Sequence, residues 1–287
     1  WSFRVEGRRH ATDRFATTLI YSAFVVAIIP LIAILFSVIV KGLEVFRIEF
    51  LTETMRNVSS RGEGGGIAHA LVGTIEQVLM ATIIAVPIGV MVAIYLVEYG
   101  RGKLASAISF FVDVMTGVPS IVAGLFIFTG LVLTLGMERS GFAASLSLVI
   151  LMLPVVVRTT EEMLKLVPSD LREASYALGV PKWKTITSIV LPTAMSGIIT
   201  GVMLAVARVA GETAPLLLTT FLTQSMNWDL FSGPQAALPT FIWDQISSGT
   251  DPSVNRAWGG ALVLILFVAI LYIGARIVAR VFAPKTR

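Results

Sequence analysis

Cysteine is absent from the 287 residues, which excludes disulfides, thiolate metal sites and a cysteine nucleophile. Histidine is scarce: only His10 and His69 occur, and neither has a second ligand near it in the chain, so no metal site is expected. His10 is read as a surface residue and His69 as solvated beside a glycine-rich loop. Charge is thin as well, at 14% Asp, Glu, Lys and Arg against about a quarter in soluble chains. No Gly-x-x-x-x-Gly-Lys-Ser/Thr sequence is present, so any nucleotide hydrolysis belongs to another chain. Gly64-Gly65-Gly66 lacks the lysine and a following helix, and reads as a flexible aqueous loop. Neither a cofactor nor enzymatic activity is expected.

Apolar residues are what the chain has in quantity: 55% of the total, with a mean hydropathy of +0.84. Such a composition belongs in lipid, where a hydrocarbon core of about 30 Å asks for about 20 apolar residues per crossing. The net charge of +4 could point to nucleic acid, but the basic residues flank the apolar runs, as topogenesis requires, and no nucleic-acid partner is expected. The first apolar run is too long for the hydrophobic region of a signal peptide, so no cleaved leader is expected.

The reading is an all-α polytopic membrane protein with six transmembrane helices. A cytoplasmic segment 1–15 precedes a permease domain 16–287, with spans at about 16–40, 71–97, 108–137, 141–157, 191–222 and 257–279. The third contains Gly117, Pro119 and Gly124, which disturb helices. The apolar stretch from Thr185 to Met226 is too long for one crossing and too short for two, so the fifth span is expected to break near 211–215, at Gly211 and Pro215.

Lys and Arg are retained on the cytoplasmic side. With both termini inside, the inner segments hold Arg4, Arg8, Arg9, Arg14, Arg101, Lys103, Arg158, Lys165, Arg172, Lys182, Lys184, Arg276, Arg280, Lys285 and Arg287. The outer loops hold the smaller set Lys41, Arg47, Arg56, Arg61, Arg139 and Arg256, which favours this orientation. Trp228, Trp243 and Trp258 would then sit at the outer interface.

The loop 158–190 is more than a connector. Ser169 can cap a short helix over 170–178, Asp170 and Glu173 suit its positive end, and Gly179 with Pro181 ends it. Leu171, Ala174 and Leu178 share one face, and Ala174 and Ser175 are small enough for close approach. Glu173-Ala174-Ser175, three residues, Gly179, nine residues, Ile189, one residue and Leu191-Pro192 together resemble the EAA loop of type I ABC importer permeases. Ser175 departs from the usual second alanine. The resemblance implies the type I ABC importer permease fold. It also implies docking of Leu171, Glu173, Ala174, Ser175, Leu178 and Gly179 in a cleft of a cytoplasmic ATPase; an amphipathic helix lying on lipid is the bland alternative.

Gly117-Val118-Pro119-Ser120-Ile121-Val122, Gly124-Leu125-Phe126 and Arg208-Val209-Ala210-Gly211-Glu212-Thr213-Ala214-Pro215 resemble the phosphate (Pst) importer permeases. Trp258-Gly259-Gly260-Ala261 and the residues up to Ala279-Arg280 are similar to the A-type branch of that family. This implies phosphate as substrate, a PstC-like second permease, a PstB-like ATPase pair and a PstS-like extracytoplasmic binding protein, in a bacterial inner membrane.

Arg208 and Glu212 are four apart, so on one helix they would share a face and pair. A charge at membrane depth is costly and usually functional. Arg208, Glu212, Ser120 and Thr213 are therefore the candidate path residues, with Arg208 contacting phosphate and Glu212 holding it; a salt bridge fastening two permeases together is the alternative. Asp113, Glu76 and Gln77 lie near span ends and read as snorkelling or interhelical polar contacts. A permease for another small solute, an ion-coupled secondary transporter and a signalling subunit without its own path remain open. The carrier would show two related halves, and no internal repeat is found.

Overall fold

A computed structural model describes residues 7–282. Residues 1–6 and 283–287 lie outside it, with Arg4, Lys285, Arg287 and part of the segment 1–15, as do the side chains of Arg8 and His10. All regular elements among the described residues are helical. They are α1 (Gly7–Val45), α2 (Ile48–Thr52), α3 (Ala68–Ile94), α4 (Gly102–Thr116), α5 (Ser120–Ile127), α6 (Gly141–Lys165), α7 (Ser169–Ala177), α8 (Lys182–Thr185), α9 (Leu191–Ala210), α10 (Ala214–Thr219), α11 (Leu238–Ser247) and α12 (Asp251–Phe282). Wider π turns extend α3 through Tyr95–Tyr99, extend α5 through Phe128–Thr134, and join α8 to α9 through Ile186–Val190.

Five helical stretches are long and apolar enough to cross a membrane, and the pair α4 and α5 makes a sixth unit bent by 108°. One kinked span is expected over 108–137, but α4 ends at Thr116 and α5 starts at Ser120. Pro119 has no N–H to continue the ladder, and its ring pushes the preceding residue out of the helical region. The next interruption separates α9 from α10, where Gly211 follows the last helical residue and Pro215 occupies the first turn of the new helix.

Helix α6 is the hub against which α3, α4, α5, α9 and α10 pack. Its seam with α3 is made by residues four apart, Ala81, Ala85, Gly89 and Ala93, facing Ala144, Leu148, Met152 and Val156. Lipid tails are as apolar as these side chains, so close van der Waals approach holds the helices together rather than exclusion from water. At Gly89 the approach is tightest: a Cβ there would come within 2.7 Å of Val156 Cγ1. A second layer near the 158–190 loop packs Ala93 and Val112 against Leu164, Val190, Ala194 and Ile198. In contrast, α1 leans mainly on α12 and exposes Phe15, Leu19, Phe24 and Ile32, as a lipid-facing helix does.

Two polar expectations change, and a third is narrowed to one of its alternatives. The Gly64-Gly65-Gly66 segment is not a loose loop: Gly66 N donates to the Thr54 carbonyl (3.3 Å), and Arg256, 3% exposed in the first turns of α12, donates to the carbonyls of Gly64 (3.3 Å), Gly62 (2.7 Å) and Ser60 (3.1 Å) and to Gln245 Oε1 (2.9 Å). A buried guanidinium must satisfy its donors, and backbone carbonyls freed by glycines are available. His69 is buried rather than solvated, because the first turn of α3 tucks beneath α11, where the His69 and Phe241 rings meet edge to face with centroids 5.8 Å apart. For Gln77 and Glu76 the polar contact, not snorkelling, is what forms: Gln77 Nε2 donates to Gln235 Oε1 at 3.1 Å, and Gln235 Nε2 to Glu76 Oε2.

Gly89→Leu should overpack the α3–α6 seam and cost about 1–3 kcal/mol, seen as a lower thermal midpoint of the purified protein in detergent. Leu19→Ala on the exposed face of α1 should shift the midpoint far less; equal shifts would refute the seam.

Candidate substrate path and coupling surface

The surface built by α7 and α8 depends on one carboxylate. Glu98 sits in the π turn that ends α3, and its Oε1 accepts from Arg172 Nε (3.0 Å) and Nη2 (2.9 Å). Arg172 also donates to the carbonyls of Val167 (2.6 Å) and Leu164 (2.9 Å), at the end of α6. Lys182 donates to the Glu98 carbonyl and lies over the Tyr99 ring at 4.7 Å. Three helix ends thus meet on one ion pair whose carboxylate side chain is only 5% exposed. Ser175 and Thr185 share a 2.8 Å hydrogen bond that ties α7 to α8.

Two details of the expected coupling helix change. Ser169 is the first helical residue rather than the cap; Pro168 takes that position, and Ser169 Oγ donates to Asp170 Oδ1 instead. Ser175 points inward at 3% exposure, since its hydroxyl is spent on Thr185, so it is no part of an outer docking face. Leu171, Glu173, Ala174, Leu178 and Gly179 are exposed, Leu178 at 83%, with Leu166 and Trp183 nearby in the chain also outward. Gly179 adopts φ +75°, the left-handed conformation that reverses the chain after a helix without a Cβ penalty. An exposed apolar patch beside charged residues marks an interaction surface.

A second network joins α4 to α6. Arg158 donates to Asp113 Oδ1 (2.5 Å), Glu161 Oε2 (2.5 Å), Ser109 Oγ (2.8 Å) and the Ser109 carbonyl (2.9 Å), while Lys165 Nζ donates to Glu161 Oε1 (2.7 Å). In the sequence Arg158 is one more basic residue of an inner loop; the spacing Arg158, Glu161, Lys165 on one helical face is the available hint.

The candidate path residues gather at the two helix breaks. Arg208 lies exposed in the last turn of α9, Thr213 precedes α10 half-buried, and Ser120 opens α5 half-buried. Helices α5 and α10 pack so closely that a Cβ on Gly124 would approach Pro215 Cα to 2.5 Å. They run the same way: Gly124 faces Pro215 in the first turn of α10, and further along both chains Phe128 and Phe221 each meet Arg139, at 4.9 and 5.0 Å. Ser120 and Thr213 therefore share the opposite end. The expected Arg208–Glu212 pair is not formed among the described residues: α9 stops at Ala210, so Glu212 falls outside the helix whose four-residue repeat would have aligned them. The arrangement offers a free guanidinium and two hydroxyls at interrupted helices, groups suited to an oxyanion.

The chain matches a protein family described as the binding-protein-dependent transport system inner membrane component over residues 85–287. It is 48% identical over 281 residues to "Phosphate transport system permease protein PstA 1" of Mycobacterium tuberculosis, covering 98% of this chain and 91% of that protein. Identity to the PstA permease of Yersinia pestis is 43% over 279 residues, covering 96% and 92%. Among solved structures, a bacterial ABC transporter involved in alginate import shares the fold, with a TM-score of 0.65 at 13% identity over 95% of this chain and 99% of that one.

Arg172→Ala should destabilise the protein by about 3 kcal/mol, because it strands a buried carboxylate. Adding Glu98→Gln should recover part of the loss; a double variant no better than the single one in thermal melting would disprove the clamp.

Proposed function

We propose that this chain, which belongs to the binding-protein-dependent transport permeases and to their PstA-type phosphate branch, forms half of the transmembrane path for inorganic phosphate in an ATP-driven importer. It is a multi-pass permease of a bacterial inner membrane. A PstC-like permease completes the pore, a PstB-like ATPase pair hydrolyses ATP on the cytoplasmic side, and a PstS-like extracytoplasmic protein delivers the anion. Both termini face the cytoplasm, in keeping with the excess of Lys and Arg on that side. The observation that carries the reading is near-full-length identity to phosphate permeases, and the outward apolar face of α7 supports it.

Transport then works as a lever. Leu171, Ala174 and Leu178 enter a cleft of the ATPase, so closure of the ATPase pair moves α7. Arg172 and Lys182 pass that motion to Glu98 at the end of α3, and Ser175 to Thr185 and so to α8 and α9. Arg158 extends it to α4 through Asp113. Both α4 and α9 end at a break, so the displacement arrives where Ser120, Arg208 and Thr213 stand. Arg208 contacts the passing phosphate in two-pronged fashion, and Glu212 close by in the chain limits trapping through repulsion. An ion-coupled carrier is the weaker reading, because it has no use for an exposed α7.

Arg208→Gln should lower phosphate uptake by the assembled importer by about tenfold or more, the worth of one charged hydrogen bond. Normal uptake in an assembled complex would remove Arg208 from the path and leave it the role of fastening the two permeases. Leu178→Asp should release the ATPase during purification and abolish uptake, while melting of the permease stays within about 0.5 kcal/mol of wild type as for other surface changes; retention of the ATPase would refute the docking face.

A further inference from the structure

Arg139 lies in the turn between α5 and α6, half-buried, with its guanidinium carbon 4.9 Å from the Phe128 ring and 5.0 Å from the Phe221 ring. Among the described residues it makes no hydrogen bond and no ion pair. The adjacent Glu138 is engaged elsewhere, its Oε2 accepting from Ser232 Oγ at 3.4 Å. Aromatic faces attract the charge but leave the five in-plane N–H donors of a guanidinium largely unspent. The cage therefore fixes the cation in place and keeps its hydrogen-bonding capacity for something else.

The second ring comes at a cost. Phe221 has φ +66°, the left-handed region that a bulky side chain rarely adopts, at about 1–3 kcal/mol. Its neighbours hold it there: the Thr219 carbonyl accepts from Ser140 N (3.2 Å), and Thr220 Oγ1 donates to the Gln235 carbonyl (2.6 Å). Strain retained by surrounding bonds beside an unpartnered cation is what a binding group requires. Arg139 stands beside Phe128 and Phe221, while Ser120 and Thr213 open α5 and α10 at the other end of the packed pair. The six residues of α10 put the two levels about 9 Å apart at 1.5 Å per residue.

The geometry points to Arg139 as a second contact for a tetrahedral oxyanion, further out along the α5–α10 pair than the helix break that holds Arg208. The inference rests on the chain being a phosphate permease. Two cations in series lower the barrier for an anion leaving water, and neither holds it alone. Partial exposure of Arg139 keeps its contact weak enough to release, as conduction between successive sites demands. A plain staple, a cation gluing two loops through their rings, is the competing role.

The test uses the complete importer, with partner permease, ATPase pair and binding protein, reconstituted in vesicles and supplied with radiolabelled phosphate. Uptake is read per assembled complex and per ATP hydrolysed. Arg139→Gln and Arg139→Met should each lose about tenfold, whereas Arg139→Lys, which keeps the charge, should stay within about threefold of wild type. A staple predicts the reverse order for methionine, whose flexible thioether fills the space between two rings well. Normal uptake per complex by Arg139→Met or Arg139→Gln overturns the proposal. A wild-type complex that takes up no phosphate defeats the underlying reading itself.

Discussion

Close approach of α3 to α6 is the constraint on which the rest depends. In a medium as apolar as the side chains, helices gain little from hiding leucines, so the seam relies on small residues every four positions and on contact between backbones. Ala81, Ala85, Gly89 and Ala93 bring α3 within reach of α6 along its length, and α4, α5, α9 and α10 then use the remaining faces of α6. The hub is thereby rigid, and rigidity lets its end serve as one jaw of the Glu98–Arg172 clamp. Loosening the seam would separate the clamp's partners before any function could be asked of them.

Charge is used at the ends of this scaffold, with different partners at each. Near α7, carboxylates and guanidiniums are matched: Glu98 with Arg172, and Asp113 and Glu161 with Arg158. Pairs of this kind give little net stability but fix orientation, because only one arrangement leaves no charge stranded. At the helix breaks the guanidiniums of Arg208 and Arg139 lack such partners among the described residues. Matched charges suit a linkage that transmits force, and unmatched ones suit a route that accepts an anion. Continuous helices, α4 and α9, connect the two regions.

Some of this was legible in the residues. Long uncharged runs state the fold class and the family of spans, because the bilayer's thickness acts on composition and length alone. The EAA pattern and the motifs around Ser120 and Arg208 name the family, and the glycines and prolines at 117–119 and 211–215 flag interruption, since local backbone chemistry suffices for both. Illegible were the residues whose role comes from distant partners. Glu98 looks like the polar end of a span until Arg172 meets it, and Arg256 looks like a loop charge until it is seen threading the carbonyls of Gly62 and Ser60. Ser175 was placed at the docking surface by its small size and the EAA resemblance, neither of which reveals that Thr185 draws its hydroxyl inward. His69 and Arg139 carry no local signal at all.

The sequence by itself determined that the chain lives in lipid and where glycine and proline interrupt its helices, because those are matters of hydration and backbone geometry near each residue. Only the tertiary structure decided which apolar faces meet protein and which meet lipid, which charges pair and which stand free. In a membrane both kinds of face are equally apolar, and a charge finds its partner across 45 or 74 positions of chain, so the choice is made by packing and not by composition.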